Sequence, residues 1–152
     1  MAGQIALETR YYPNDFMVVN NNVLATAVTA STSVSTYVPL FITDRPVVVD
    51  GGSFVFSTAP VTSDKTYSLV SCPNGTTPAT NGSNVTTLSN VVTVVAASQI
   101  FTKKIFTAVT SANHVAHTDA IPVVVYLRSH TAASADAGMA GVLVQMRIRS
   151  QI

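Results

Sequence analysis

The residues best suited to chemistry in this 152-residue chain are three histidines, His114, His117 and His130. His114-Val115-Ala116-His117, followed by Asp119, places metal-ligand types at short spacing. Zinc takes imidazole and carboxylate ligands, and a catalytic zinc keeps three protein ligands and one open position. On a helix, histidines at i and i+3 share a face; on a strand they point apart. The flanks Ser111-Ala112-Asn113 and Thr118-Asp119-Ala120 read as loop. The glutamate of a His-Glu-x-x-His motif is missing. The expectation is a solvated loop that holds no metal.

The other chemical residue types lead to the same place. Glu8 is the sole glutamate, and the six aspartates, Asp15, Asp44, Asp50, Asp64, Asp119 and Asp136, are scattered. Several sit in turn contexts, where Asp serves the backbone, and none forms an evident acid and nucleophile pair. No serine lies in Gly-x-Ser-x-Gly. Cys72, the single cysteine, precedes Pro73, and no neighbour marks it as an activated thiolate. It reads as an idle thiol, and no intrachain disulfide can form. Gly138-Met139-Ala140-Gly141 lacks the lysine of a phosphate-binding loop; it reads as a flexible approach to the last strand. Asn74-Gly75-Thr76, Asn81-Gly82-Ser83 and Asn84-Val85-Thr86 match the N-glycosylation pattern, and chance in an Asn/Ser/Thr-rich loop accounts for them. The reading is a non-enzyme with no cofactor and no catalytic residue.

Composition says what such a chain does instead. Apolar residues make up 47%, aromatics 7%, and Trp is absent, so Val and Ala dominate. Charged residues are 10% of the chain, against about 25% ordinarily. A hydroxyl- and amide-rich exterior costs less to desolvate than one of Lys and Glu, and depletion of charge is a mark of interface cores. A net charge of +1 offers no clustered basic field for nucleic acid. The start, Met1-Ala2-Gly3-Gln4-Ile5-Ala6-Leu7-Glu8, has no basic region and no apolar stretch of leader length. The longest apolar run, near residues 120–127, is too short to span a bilayer. The expectation is a soluble protein made in a cytoplasm, with no membrane partner.

These residues need elements to carry them, and the elements read as strands. Residues 1–22 form an N-terminal extended arm, broken by Tyr12-Pro13-Asn14-Asp15 and Asn20-Asn21-Asn22, with a short strand possible at Phe16-Met17-Val18-Val19. Tyr11, Tyr12, Pro13 and Phe16 give this arm a partner-binding character. Residues 23–152 read as one β-sandwich domain. Val34, Thr36, Val38, Leu40 and Ile42 alternate with more outward residues, and Pro39 marks an edge or a bulge. Asp50-Gly51 between apolar runs signals a hairpin. Further strands fall at 67–72, 85–97, 103–109 and 121–128, the last apolar on both faces and therefore central. Residues 73–84 read as a long exposed loop, and 132–140 as at most a helical turn. In the last strand Val142, Val144, Met146 and Ile148 face the core. Leu143, Gln145, Arg147 and Arg149 face outward, where Arg147 and Arg149 are candidates to meet a partner's acidic patch. About eight strands with turn signals every eight to twelve residues predict an all-β, jelly-roll-like sandwich.

Met1-Ala2-Gly3, the aromatic arm from Tyr11 to Phe16, the Ser/Thr/Val/Ala-rich body and the strong strand over 141–149 together resemble tailed-bacteriophage virion proteins, in particular head-decoration or cement proteins. The resemblance lies in layout and carries no residue roles. It implies a virion structural protein that forms symmetric homo-oligomers, often trimers, seated where major capsid subunits meet. A tail, fibre or knob component that binds a receptor or glycan through the 73–84 loop is the alternative it leaves open.

Overall fold

The computed structural model describes residues 17–23, 28–43, 46–73, 76–109, 114–115 and 123–150. Among them are twelve strands and no helix: β1 Met17–Val23, β2 Val28–Ala30, β3 Thr36–Ile42, β4 Val47–Val55, β5 Lys65–Pro73, β6 Thr86–Thr87, β7 Val92–Val94, β8 Lys104–Phe106, β9 His114–Val115, β10 Val123–Ser129, β11 Asp136–Met139 and β12 Val142–Ser150. One sheet runs β1-β12-β4-β8, with β9 also on β4; the other runs β3-β10-β5-β6, with β7 also on β5. β2 and β11 form a separate antiparallel pair.

With the β2–β11 pair set aside, and β6 and β7 taken as one interrupted strand and β8 and β9 as another, eight main strands remain. In chain order they lie first–eighth–third–sixth in one sheet and second–seventh–fourth–fifth in the other. This is the double Greek-key order of a jelly roll; the alternation and turn spacing predict the all-β class and leave the strand order open. The short strands escape a sequence reading because two or three residues show no period.

The core lies between the sheets. Phe54 sits at its centre, with ring centroids 4.9 Å from Phe106, 6.1 Å from Tyr67 and 6.3 Å from Phe56. Val142, Val144, Met146 and Ile148 are fully buried, as the alternation of β12 requires. β10 is central between β3 and β5, with Val125 and Leu127 inward.

Two bulges set which residues face this core. Between Met146↔Gly52 and Ile148↔Val49, β4 spends two residues against one of β12. The inward set therefore changes from Val47 and Val49 to Phe54 and Phe56, all buried. The Asp50-Gly51 signal is thus a bulge inside one nine-residue strand and not a hairpin. Gly51 has φ 101, and a Cβ on it would lie 2.5 Å from the Phe106 carbonyl oxygen. In β3, the pairs Val125↔Phe41 and Tyr126↔Pro39 leave Leu40 as the extra residue. Pro39 is therefore at a bulge and on an edge strand at once. Beyond the bulge Phe41 packs on the core and Ile42 turns outward, 54% exposed, against the simple alternation.

Other expectations change as well. β1 runs straight through Asn20-Asn21-Asn22, paired residue for residue with β12 from Met17↔Ile148 to Val23↔Val142. The 85–97 segment is two short strands, not one. Residues 136–139 are strand β11 rather than a helical turn. The approach to β12 is tight, not flexible: Met139 is fully buried, Gly138 and Gly141 have φ 65 and 59, and Ala140 bridges Thr58.

Candidate functional site

The arm residues Tyr11, Tyr12, Pro13 and Phe16 lie outside the described residues, as do His117 and Asp119. His114 is in β9 opposite Val48, which places it in a sheet rather than in a solvated loop. Among the described residues no group of three or more His, Cys, Asp and Glu is arranged to hold a metal.

Arg147 and Arg149 stand on the outer face of β12, as alternation predicts, yet both attend to Asp50 at the β4 bulge. Arg149 Nε donates to Asp50 Oδ2 at 2.8 Å, and Arg147 reaches the Asp50 carbonyl at 3.4 Å. Arg149 is thus tied to its own chain through Nε with its side chain 43% exposed, and Arg147 is held by one long bond, so both keep donors for a partner. Leu143, Val55 and Ile105 continue this face, and Ser53, Lys103 and Gln145 join Leu143 and Val55 along a shallow groove.

On the other sheet, the outer face is covered by the 76–84 loop. Tyr37 OH donates to the Ala79 carbonyl at 2.8 Å, and the Ser35 N–H to the Thr80 carbonyl at 2.9 Å. Beneath the loop, Arg128 bonds Ser35 Oγ through Nε and Nη2 at 3.1 and 3.0 Å and lies 5.9 Å from the Tyr37 ring centroid. The loop is therefore pinned, not merely exposed. Cys72 is fully buried under it, and that burial pushes its thiol pKa up, which suits an idle thiol. His130 Nε2 lies 2.9 Å from Ser68 Oγ. Burial, then the nearby Arg128 charge, lowers its pKa to about 4, so the ring is neutral at pH 7.

A third cluster joins two loops at the mouth of the sandwich. The buried Lys65 Nζ donates to Ser63 Oγ at 2.5 Å and to the Ser134 carbonyl at 2.7 Å. Ser134 Oγ then lies 2.9 Å from Ser63 Oγ and 2.8 Å from Thr62 Oγ1. With the ammonium donating, the hydroxyls can chain outward from Lys65 to the exposed Thr62. A serine beside a lysine is also the outline of a nucleophile and base. The bonds from Lys65 and Ser63 to Ser134 tie the two loops together.

The feature missed by sequence reasoning is an apolar ridge. Of the eight large hydrophobic side chains exposed among the described residues, five, Val91, Val95, Ile100, Phe101 and Ile105, fall within residues 91–105. Val61 joins them, because the Ala97 N–H donates to the Pro60 carbonyl at 2.8 Å. The available signal was Ile100-Phe101 standing alone between Ser98-Gln99 and Thr102-Lys103-Lys104, outside any alternation. Phe101 is 65% exposed and has φ 57, and Ala97 has φ 53. Bulky residues rarely adopt that conformation, and it is held where surrounding bonds impose it; here the Phe101 N–H donates to the Phe56 carbonyl at 2.8 Å. Apolar area presented this way suits contact with another protein surface. No protein-family model matches the chain, and no curated protein or solved structure matches it.

Proposed function

We propose that this chain is a virion structural protein, a capsid decoration or cement protein that binds and stabilises a head lattice as a homo-oligomer. The observation that carries the reading is the apolar ridge over residues 91–105 on a surface otherwise poor in charge. Such a surface loses little on desolvation and gains from each apolar side chain it covers. Jelly rolls serve in viral capsids and in lectins, so the architecture is compatible with this role without selecting it. A protein that binds many equivalent sites of an assembled shell, and not its free subunits, stabilises the shell by mass action.

A glycan-binding fibre or knob module is the second reading, and the 76–84 loop argues against it. Residues 76–84 contain no aromatic and no charged side chain. Asn84 uses both ends of its amide internally, on the Ala79 N–H and the Thr77 carbonyl, and Asn81 Oδ1 accepts the Ser83 N–H. Tyr37 and Arg128, which would suit a sugar, are committed beneath it.

The test is mass spectrometry of purified virions, followed by co-sedimentation of the purified protein with heads that lack it. The expected result is a fixed high copy number and saturable binding that raises the heat resistance of the heads. Absence from virions, with no binding to heads, overturns the reading.

A further inference from the structure

We propose that the ridge is the contact between two copies of this chain, with Phe101 as its anchor and Lys103 of one copy facing Asp64 of the other. The inference rests on the structural reading above and deepens it by assigning the self-association surface.

The chain's own contacts fix the order of groups along the ridge. Lys104 lies opposite Phe54, Phe101 is bonded to Phe56, Ala97 to Pro60, and the Ala96 N–H to Asp64 Oδ1 at 2.9 Å. The exposed Lys103 therefore lies to one side of Phe101 and the exposed Asp64 to the other. In a two-fold contact residue i meets j and j meets i. An axis through the Phe101 region carries Lys103 of each copy toward Asp64 of its partner and stacks apolar on apolar between them. The ridge is thus self-complementary in charge and in hydrophobicity. The Phe101 N–H bond to the Phe56 carbonyl involves the backbone alone and does not require an exposed ring; an aromatic anchor presented to a partner accounts for the side chain.

Sedimentation and light scattering of the full chain test the inference. The wild type is expected to self-associate, and Phe101→Ser to raise the dissociation constant tenfold or more with an unchanged circular dichroism spectrum. Asp64→Asn keeps the oxygen that accepts the Ala96 N–H and removes only the charge. It should weaken association, as should Lys103→Gln. The two substitutions combined should cost less than the product of their separate effects, because they remove the same pairing. A wild type that stays monomeric well above micromolar concentration overturns the inference, and so does an oligomer indifferent to Phe101→Ser. Head binding separates this failure from failure of the virion reading. A monomer that decorates heads sinks only the contact between copies. A Phe101-dependent oligomer absent from virions sinks only the virion role.

Discussion

Arg149 Nε donates to the Asp50 carboxylate at 2.8 Å, and it does so at the β4 bulge. The contact ties an outward residue of β12 to the point where β4 changes its inward set. Everything beyond that point depends on the change, because Phe54 and Phe56 would otherwise face water.

The bulge is therefore held more by its glycines than by its ion pair. Arg149 and Asp50 side chains are 43% and 22% exposed, and Arg149→Ala should cost about 1 kcal/mol or less. Gly51→Ala places a Cβ against the Phe106 carbonyl at φ 101 and should cost about 2–4 kcal/mol. In thermal melts the first lowers Tm by about 2–4 °C and the second by roughly twice that or more. Equal small losses would show that the bulge does not need Gly51.

Phe54 makes the complementary case from the core side. It touches Phe56, Tyr67 and Phe106, two of which come from other strands. Phe54→Ala should cost about 3–5 kcal/mol, with Phe54→Leu well below that. Urea denaturation measures both, and a loss under about 1 kcal/mol for the alanine would contradict the central position given to this ring.

The same two bulges show what a sequence makes legible. Period-two patterning identified β12, β10 and β3, since a half-buried strand leaves that trace. It also placed Arg147 and Arg149 on the outer face. It could not show that β4 continues through Asp50-Gly51, because a glycine with positive φ serves a turn and a bulge equally. It could not show the pinning of the 76–84 loop, which depends on Tyr37 and Ser35 more than 40 residues away. The ridge was hidden for a third reason. Exposure of Ile100 and Phe101 follows from two left-handed residues, and composition does not encode them.

The arm boundary needs a finer cut than 22. Removing residues 1–22 deletes six of the seven residues of β1, 17 to 22, and uncovers the β12 edge. That truncation should melt well below the full chain or aggregate through the open edge. Removing 1–16 leaves β1 whole and should hold Tm within a few degrees. If residues 11–16 bind a partner, the shorter truncation alone should abolish attachment to heads. A folded 17–152 chain that still decorates heads normally removes Tyr11, Tyr12, Pro13 and Phe16 from the binding role.

Acid sensitivity follows from His130. Its pKa in the fold is about 4, below the roughly 6.5 of an unfolded chain. Between those values the unfolded state binds the extra proton, so stability rises with pH across that window. The contribution is complete above pH 6.5, fades as pH falls toward 4 and is gone below it. Allowing for solvent around the partly buried ring, it is on the order of 1–2 kcal/mol. Carboxylates titrate nearby, so the informative quantity is the difference between the wild type and His130→Gln. Denaturation at pH 7, 5.5 and 4.5 should show the wild type losing more stability than the variant on acidification. Parallel pH profiles would mean that the His130 imidazole is accessible enough to protonate in the folded chain, and that its bond to Ser68 does not hold the neutral ring.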